Sequence, residues 1–179
     1  MFDIQKSELP IGANLRHYFE MEGCYTDCYF TEIDQAVSLP DFVAAFYVTP
    51  LFKLERFLLE HMASKPSTDQ QARQVSDAQI DHFAAWRVEQ RDTSQLLMCD
   101  LSERTRSWFM IVPLVDQGQN STRLYFGSAV VPQSTPKNEP PSMGFAFRAL
   151  LGFHKLYSRA LLSAARAQLN RSLVIRQPA

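Results

Sequence analysis

The order of local signals constrains this chain more than any single motif does. One strand comes first, then two short helices meeting at Thr49-Pro50, a block of alternating strands, and a long amphipathic helix over residues 145–170. That order predicts an α+β fold in which a curved antiparallel sheet wraps around the terminal helix. Such an arrangement often encloses a cavity, but no nucleotide loop, nucleophile turn or metal cluster in the sequence names an occupant.

With 179 residues and 46% hydrophobic content the chain can bury one sizeable core. A single domain over 1–179 is expected, with an N-terminal arm at 1–22, a core at 24–169 and a tail at 170–179. A charged fraction of 21% and a net charge of −1 exclude the acidic and basic disordered classes. No apolar run reaches the roughly 18 residues of a transmembrane helix. Met1-Phe2-Asp3-Ile4-Gln5-Lys6 has no basic segment leading into an apolar stretch, so the expected location is cytoplasmic. Cys24, Cys28 and Cys99 form no Cys-x-x-Cys pair, and Cys24 and Cys28 on one strand would sit about 13 Å apart, too far for a bridge. Free thiols are expected. Charge is uneven: residues 1–139 carry 12 Lys/Arg against 19 Asp/Glu, whereas residues 140–179 carry 6 against none.

Residues 24–33, rich in Tyr, Phe, Thr and Cys, read as a strand with Cys24, Thr26, Cys28 and Phe30 on one face and Tyr25, Asp27, Tyr29 and Thr31 on the other. Neither face is cleanly polar. Ser38-Leu39-Pro40-Asp41 marks a helix start, and Thr49-Pro50 marks a second, in which Leu51, Leu54, Leu58 and Met62 form one apolar face. Residues 64–81 read as a surface connection with room for one helical turn. Strands follow at 84–91, 96–101, 104–115 and 122–131, joined by short turns that imply an antiparallel meander with Trp86 facing inward. A Pro-rich connector at 133–142 leads to the last helix. There Arg148, Lys155, Arg159 and Arg166 fall within about 40° of one another, opposite Leu150, Phe153, Tyr157, Leu161 and Ala164.

Three stretches carry a family likeness: Phe83-Ala84-Ala85-Trp86-Arg87-Val88-Glu89-Gln90-Arg91, Thr122-Arg123-Leu124-Tyr125-Phe126-Gly127-Ser128-Ala129, and Gly152-Phe153-His154-Lys155-Leu156-Tyr157-Ser158-Arg159-Ala160-Leu161-Leu162. Together they resemble uncharacterised bacterial proteins related to the SRPBCC or START-like helix-grip group, over roughly residues 24–169. The resemblance implies an antiparallel sheet gripping the long helix, with a hydrophobic cavity between them, as in lipid-transfer, polyketide cyclase and hormone-binding relatives. It implies no reaction, because those relatives share no catalytic set.

Candidate ligand-lining residues are Trp86, Arg106, Trp108, Tyr125, His154 and Tyr157. His154 sits near the edge of the apolar helix arc, where an imidazole can shuttle a proton, although a packed histidine is the commoner role. Tyr157 lies near the middle of that arc, where a backbone-satisfied hydroxyl is the plainer reading. Arg106 shares a strand face with Arg104 and Trp108, so if that face is inward Arg106 can hold a carboxylate, and if outward it is a solvated edge. His17, His61, His82 and His154 lack ligand spacing, so no metal is expected. No cofactor is expected either, and without aromatic-basic interleaving no nucleic acid.

The leading expectation is non-covalent binding of a small hydrophobic ligand between sheet and terminal helix. One alternative is a cyclase- or isomerase-type enzyme in which His154 or Tyr157 moves a proton while Arg106 stabilises negative charge. The other is an interaction module with a filled core that uses the basic stripe of Arg148, Lys155, Arg159 and Arg166, which suits an anionic surface, or the connection at 64–81, as a protein or membrane contact.

Overall fold

The computed structural model describes residues 4–53, 67–116, 119–132 and 145–174, with the side chains of the last helix described from residue 155. The elements are β1 (Gln5–Lys6), α1 (Arg16–Glu20), β2 (Tyr25–Ile33), α2 (Leu39–Tyr47), α3 (Asp69–Ser76), β3 (His82–Phe83), β4 (Trp86–Arg91), β5 (Gln95–Asp100), β6 (Thr105–Asp116), β7 (Gln119–Val130) and α4 (Phe145–Val174). A further helical turn begins at Pro50. Leu54, Leu58 and Met62, expected to continue it, lie outside the described residues, as does the connector at 133–142.

The strands form one open antiparallel sheet in the order β1-β2-β7-β6-β5-β4-β3. The β4–β7 meander follows the expected turns, and β2 inserts between β1 and β7 with nine paired residues from Tyr25↔Val130 to Ile33↔Thr122. α2 starts as its sequence dictates. The Ser38 side chain accepts from Asp41 N at 3.2 Å, and a proline stands in the first turn, where its missing N–H is harmless.

Both faces of the sheet are covered, which explains the mixed pattern of β2. On one side, the helix side, α2 and α4 place Phe42, Phe46, Leu161, Leu162, Ala165 and Leu169 against Tyr29, Ile33, Met98, Phe109, Leu124 and Phe126. Phe46 lies 4.7 Å from Phe126 and 4.8 Å from Phe109 between ring centroids, a tilted and edge-on packing suited to aromatic quadrupoles. On the other side the N-terminal segment runs back over the sheet, and Ala13, Leu15 and Tyr18 pack with Cys28, Leu97, Trp108, Tyr125 and Ala129. Gly127 permits this: a Cβ there would meet Asp27 O at 2.9 Å, Leu15 Cδ2 at 2.9 Å and Trp108 Cε3 at 3.0 Å.

Two expectations change. The surface connection expected at 64–81 contains the two-turn helix α3, capped reciprocally: Gln71 N donates to Thr68 Oγ1 at 3.1 Å and Thr68 N donates to Gln71 Oε1 at 2.9 Å. Ala72 and Val75 bury its one apolar edge. The buried arc of α4 over residues 155–172 is Ser158, Leu161, Leu162, Ala165 and Leu169, with Tyr157 and Ala164 half-buried at its margin. That arc is turned by about one residue, or 100°, from the expected one, because α4 packs against α2 as well as β2. Lys155 and Arg159 are exposed, while Arg166 is half-buried. No helix of the described residues is long and apolar enough to cross a membrane.

Candidate functional site

On the helix side, β4 carries two side chains, Trp86 and Arg91, each with a polar atom that has no partner among the described residues, and Thr31 Oγ1 on β2 is a third such atom. Phe83 pairs with Trp86 across a tight turn in which Ala84 takes φ +53°. Alternation from Trp86 sends Val88 to the same side, opposite Met98. A β-bulge between Val88 and Gln90 then shifts the register, so that Arg91 faces Leu96 and shares its side of the sheet. Bulges re-aim side chains in this way and recur beside functional sites. Trp86 is 9% exposed and its Nε1 has no acceptor among the described residues. Arg91 is half-buried, and among the described residues it makes no hydrogen bond or ion pair. Its buried Nη2 has no acceptor, and burial lowers its pKa although Asp81 and Tyr47 pull the other way. Tyr47, Phe52 and Phe83 stand close by one another, with centroids 4.8 to 6.3 Å apart and Phe52 stacked on Phe83.

A second polar group lies on the same side at the far edge. Asp27, 5% exposed, accepts from Ser128 Oγ at 2.6 Å, from Ser128 N at 3.1 Å and from the Tyr25 hydroxyl at 3.4 Å. Burial raises the pKa of Tyr25 and Tyr29 and pushes the Cys28 thiol up to about 12, with the Asp27 charge adding to each. α4 packs against β2. Arg159 Nη2 donates to Ile4 O at 3.4 Å, while Leu169 and Val37 line one cleft farther along, so the earlier turns of the helix run toward Asp27 and Tyr25. Half-buried Tyr157 belongs to this stretch. His154 stands one turn earlier on the backbone, and its side chain lies outside the described part.

Arg106, Trp108 and Tyr125 are on the opposite face, beneath the N-terminal arm. Arg106 Nε donates to Glu89 Oε2 and to the Tyr18 hydroxyl, both at 2.9 Å, and Nη1 donates to Glu103 O at 2.5 Å. The guanidinium also lies 4.6 Å from the centre of the Tyr18 ring. Tyr18 donates in turn to Glu89 Oε1 at 2.5 Å, and burial, reinforced by that bond, pushes its pKa up to about 12. Trp108 Nε1 donates to Gln95 Oε1 at 2.9 Å, and the same amide holds Asn14 N and Gly12 O. Tyr125 packs between Trp108 and Phe30.

The six residues chosen from sequence therefore do not line one space. Trp86, Tyr157 and the backbone of His154 are on the helix side, and the other three are on the arm side with their polar atoms engaged by the chain. The sheet separates Arg106 from Tyr157, so the proton-transfer and charge-stabilising roles imagined for them do not meet. The chain matches no protein-family model and no curated protein.

A cleft of about 190 Å³ is lined by residues of α2, α3 and the end of α4, with Ala36 and Val37. Its floor includes Val37, Val48 and Leu169. On its rim Arg73 is held by Asp41 at 2.9 Å and Asp77 at 2.8 Å. Among the described residues no three His, Cys, Asp or Glu side chains are grouped to hold a metal ion, and the three thiols are free. Sequence reasoning missed Asp27, Ser128 and Arg91. Asp27 and Ser128 were visible as polar interruptions of aromatic strands. Arg91 was not, because unbroken alternation from Trp86 aims it away from the helices.

Proposed function

We propose that this protein binds a small, largely apolar molecule non-covalently on the helix side of its sheet, over β4 and β5. The observation that carries this reading is the Trp86 indole N–H, buried among apolar groups without an acceptor among the described residues. A buried donor left unmade costs about 1–3 kcal/mol, and protein interiors seldom keep one without a functional reason. The neighbouring Tyr47, Phe52 and Phe83 rings are buried against one another, and where they part they give a ligand apolar surface of the kind such sites use, with few polar groups to fix orientation. The element order, with an open antiparallel sheet and a C-terminal helix, is compatible with the START-like helix-grip arrangement, in which apolar molecules are held between those two elements.

The aromatic packing of Phe42 and Phe46 on Phe109 and Phe126 fills the middle of the helix side. A ligand is thereby confined to the β4 side or to the β2 end; the β4 side offers the Trp86 and Arg91 donors, and Thr31 Oγ1 on β2 is also without a partner among the described residues. Native mass spectrometry of gently purified protein tests the reading. A one-to-one excess mass that denaturation releases as an apolar compound is expected. A bare mass in every preparation, together with no binding of added apolar molecules, would refute it.

A further inference from the structure

We infer that the ligand carries an oxyanion, a carboxylate or a phosphate, and that Arg91 is the residue that holds it. The inference rests on the binding reading above and names the head group that the same site selects. Arg91 is brought to the helix side by the bulge at Val88/Gln90, opposite Leu96, on the strand that also carries Trp86. Its guanidinium is half-buried, yet among the described residues no carboxylate lies within ion-pair distance and no acceptor meets its buried Nη2. Asp81 and the Tyr47 hydroxyl are near enough to act on it electrostatically without bonding to it.

The other guanidiniums of the sheet are treated differently. Arg106 is paired with Glu89 at 2.9 Å, Arg87 with Glu103 at 2.8 Å and Arg123 with Glu32 at 2.5 Å. Among the described residues a carboxylate is thus supplied to each of these three and none to Arg91. A guanidinium offers a planar fork of donors that matches carboxylate and phosphate geometry, so the missing partner is most naturally an oxyanion. Arg91 is partly open to solvent, which lets a charged head keep some hydration while the apolar body packs toward Phe83 and Trp86. The Trp86 N–H adds a second donor two side-chain rows along the same strand face.

The test compares three probes with one tail, dodecanoate, dodecyl phosphate and 1-dodecanol, below their micelle concentrations, by titration calorimetry and native mass spectrometry. At least one oxyanion should bind the wild-type protein ten-fold or more tighter than the alcohol, and whichever is preferred separates a carboxylate from a phosphate site. Arg91→Met should bring that probe down to the affinity of the alcohol and leave alcohol binding unchanged, while Arg91→Lys should retain part of the preference. In the absence of ligand Arg91→Met should melt at or above the wild-type temperature, because it removes a half-buried cation that has no partner.

Equal binding of alcohol and oxyanions, or a preference that survives Arg91→Met, would overturn the head-group assignment while leaving the apolar site in place. A fall of several degrees in the melting temperature of Arg91→Met would make Arg91 a structural residue and overturn the assignment as well. Failure of all three probes to bind would remove the binding reading and the inference together.

Discussion

Single positions in this protein are decided by backbone geometry as much as by side-chain chemistry. Gly127 is required because its missing Cβ leaves room for Leu15 and Trp108. Gly127→Ala should destabilise the fold by about 2 kcal/mol, the usual scale of overpacking, and should loosen the N-terminal arm. Urea unfolding together with protease sensitivity around residues 9–24 checks both effects. The opposite holds at Ala84, where a non-glycine residue sits at φ +53°. Ala84→Gly relieves a left-handed conformation that disfavours a Cβ, and a gain of about 0.5 kcal/mol is expected after glycine's added freedom in the unfolded chain is subtracted. A clear loss of stability in the same unfolding assay would show that the turn is not strained at that position.

At the level of elements, the arm and the sheet are joined by a buried ionic knot. Glu89→Gln alone leaves the Arg106 guanidinium buried beside Tyr18 without a counter-charge and should cost about 3 kcal/mol or more. Replacing both groups, as in Glu89→Leu with Arg106→Met, should cost much less than the sum of the single changes. A double-mutant cycle by chemical unfolding would expose an additive result, which would mean that the pair is not coupled.

The elements themselves were largely legible. The β4–β7 strands and α2 stand within a few residues of where alternation and capping put them, because those signals are local. What the sequence did not reveal depends on neighbours. The aromatic and cysteine content of both faces of β2 reflects cover from both sides. The turned arc of α4 reflects a helix wedged against α2 as well as β2. The bulge that re-aims Arg91 leaves no mark in the alternation. The candidate site suffered most, since Arg106, Trp108 and Tyr125 share the strand period of inward residues but face a second interior that only the arm creates.

For the molecule as a whole, buried acids should set an alkaline limit. Burial pushes Cys28 up to about 12 and Cys99 up to about 11, from an ordinary thiol value of 9.0. Both stay neutral in the folded state, whereas unfolding frees them to ionise above 9, so their contribution is fully present below pH 9 and is lost as pH rises toward 12. Stability measured by urea titration should fall across that window, and Cys28→Ala should flatten the fall; an unchanged slope would assign it to other groups.

The two-sided covering of the sheet also sets a timetable for synthesis. Gly12, Asn14 and Tyr18 find their partners at Gln95 and Arg106, more than 80 residues later, and β2 meets its main neighbour only when β7 has been made. A nascent chain must therefore carry its first thirty residues, aromatic-rich and without most of their partners, until about residue 130 has left the ribosome. Residues 12–33 wait longest to fold, and in the unfinished chain they are the stretch a chaperone would be expected to hold.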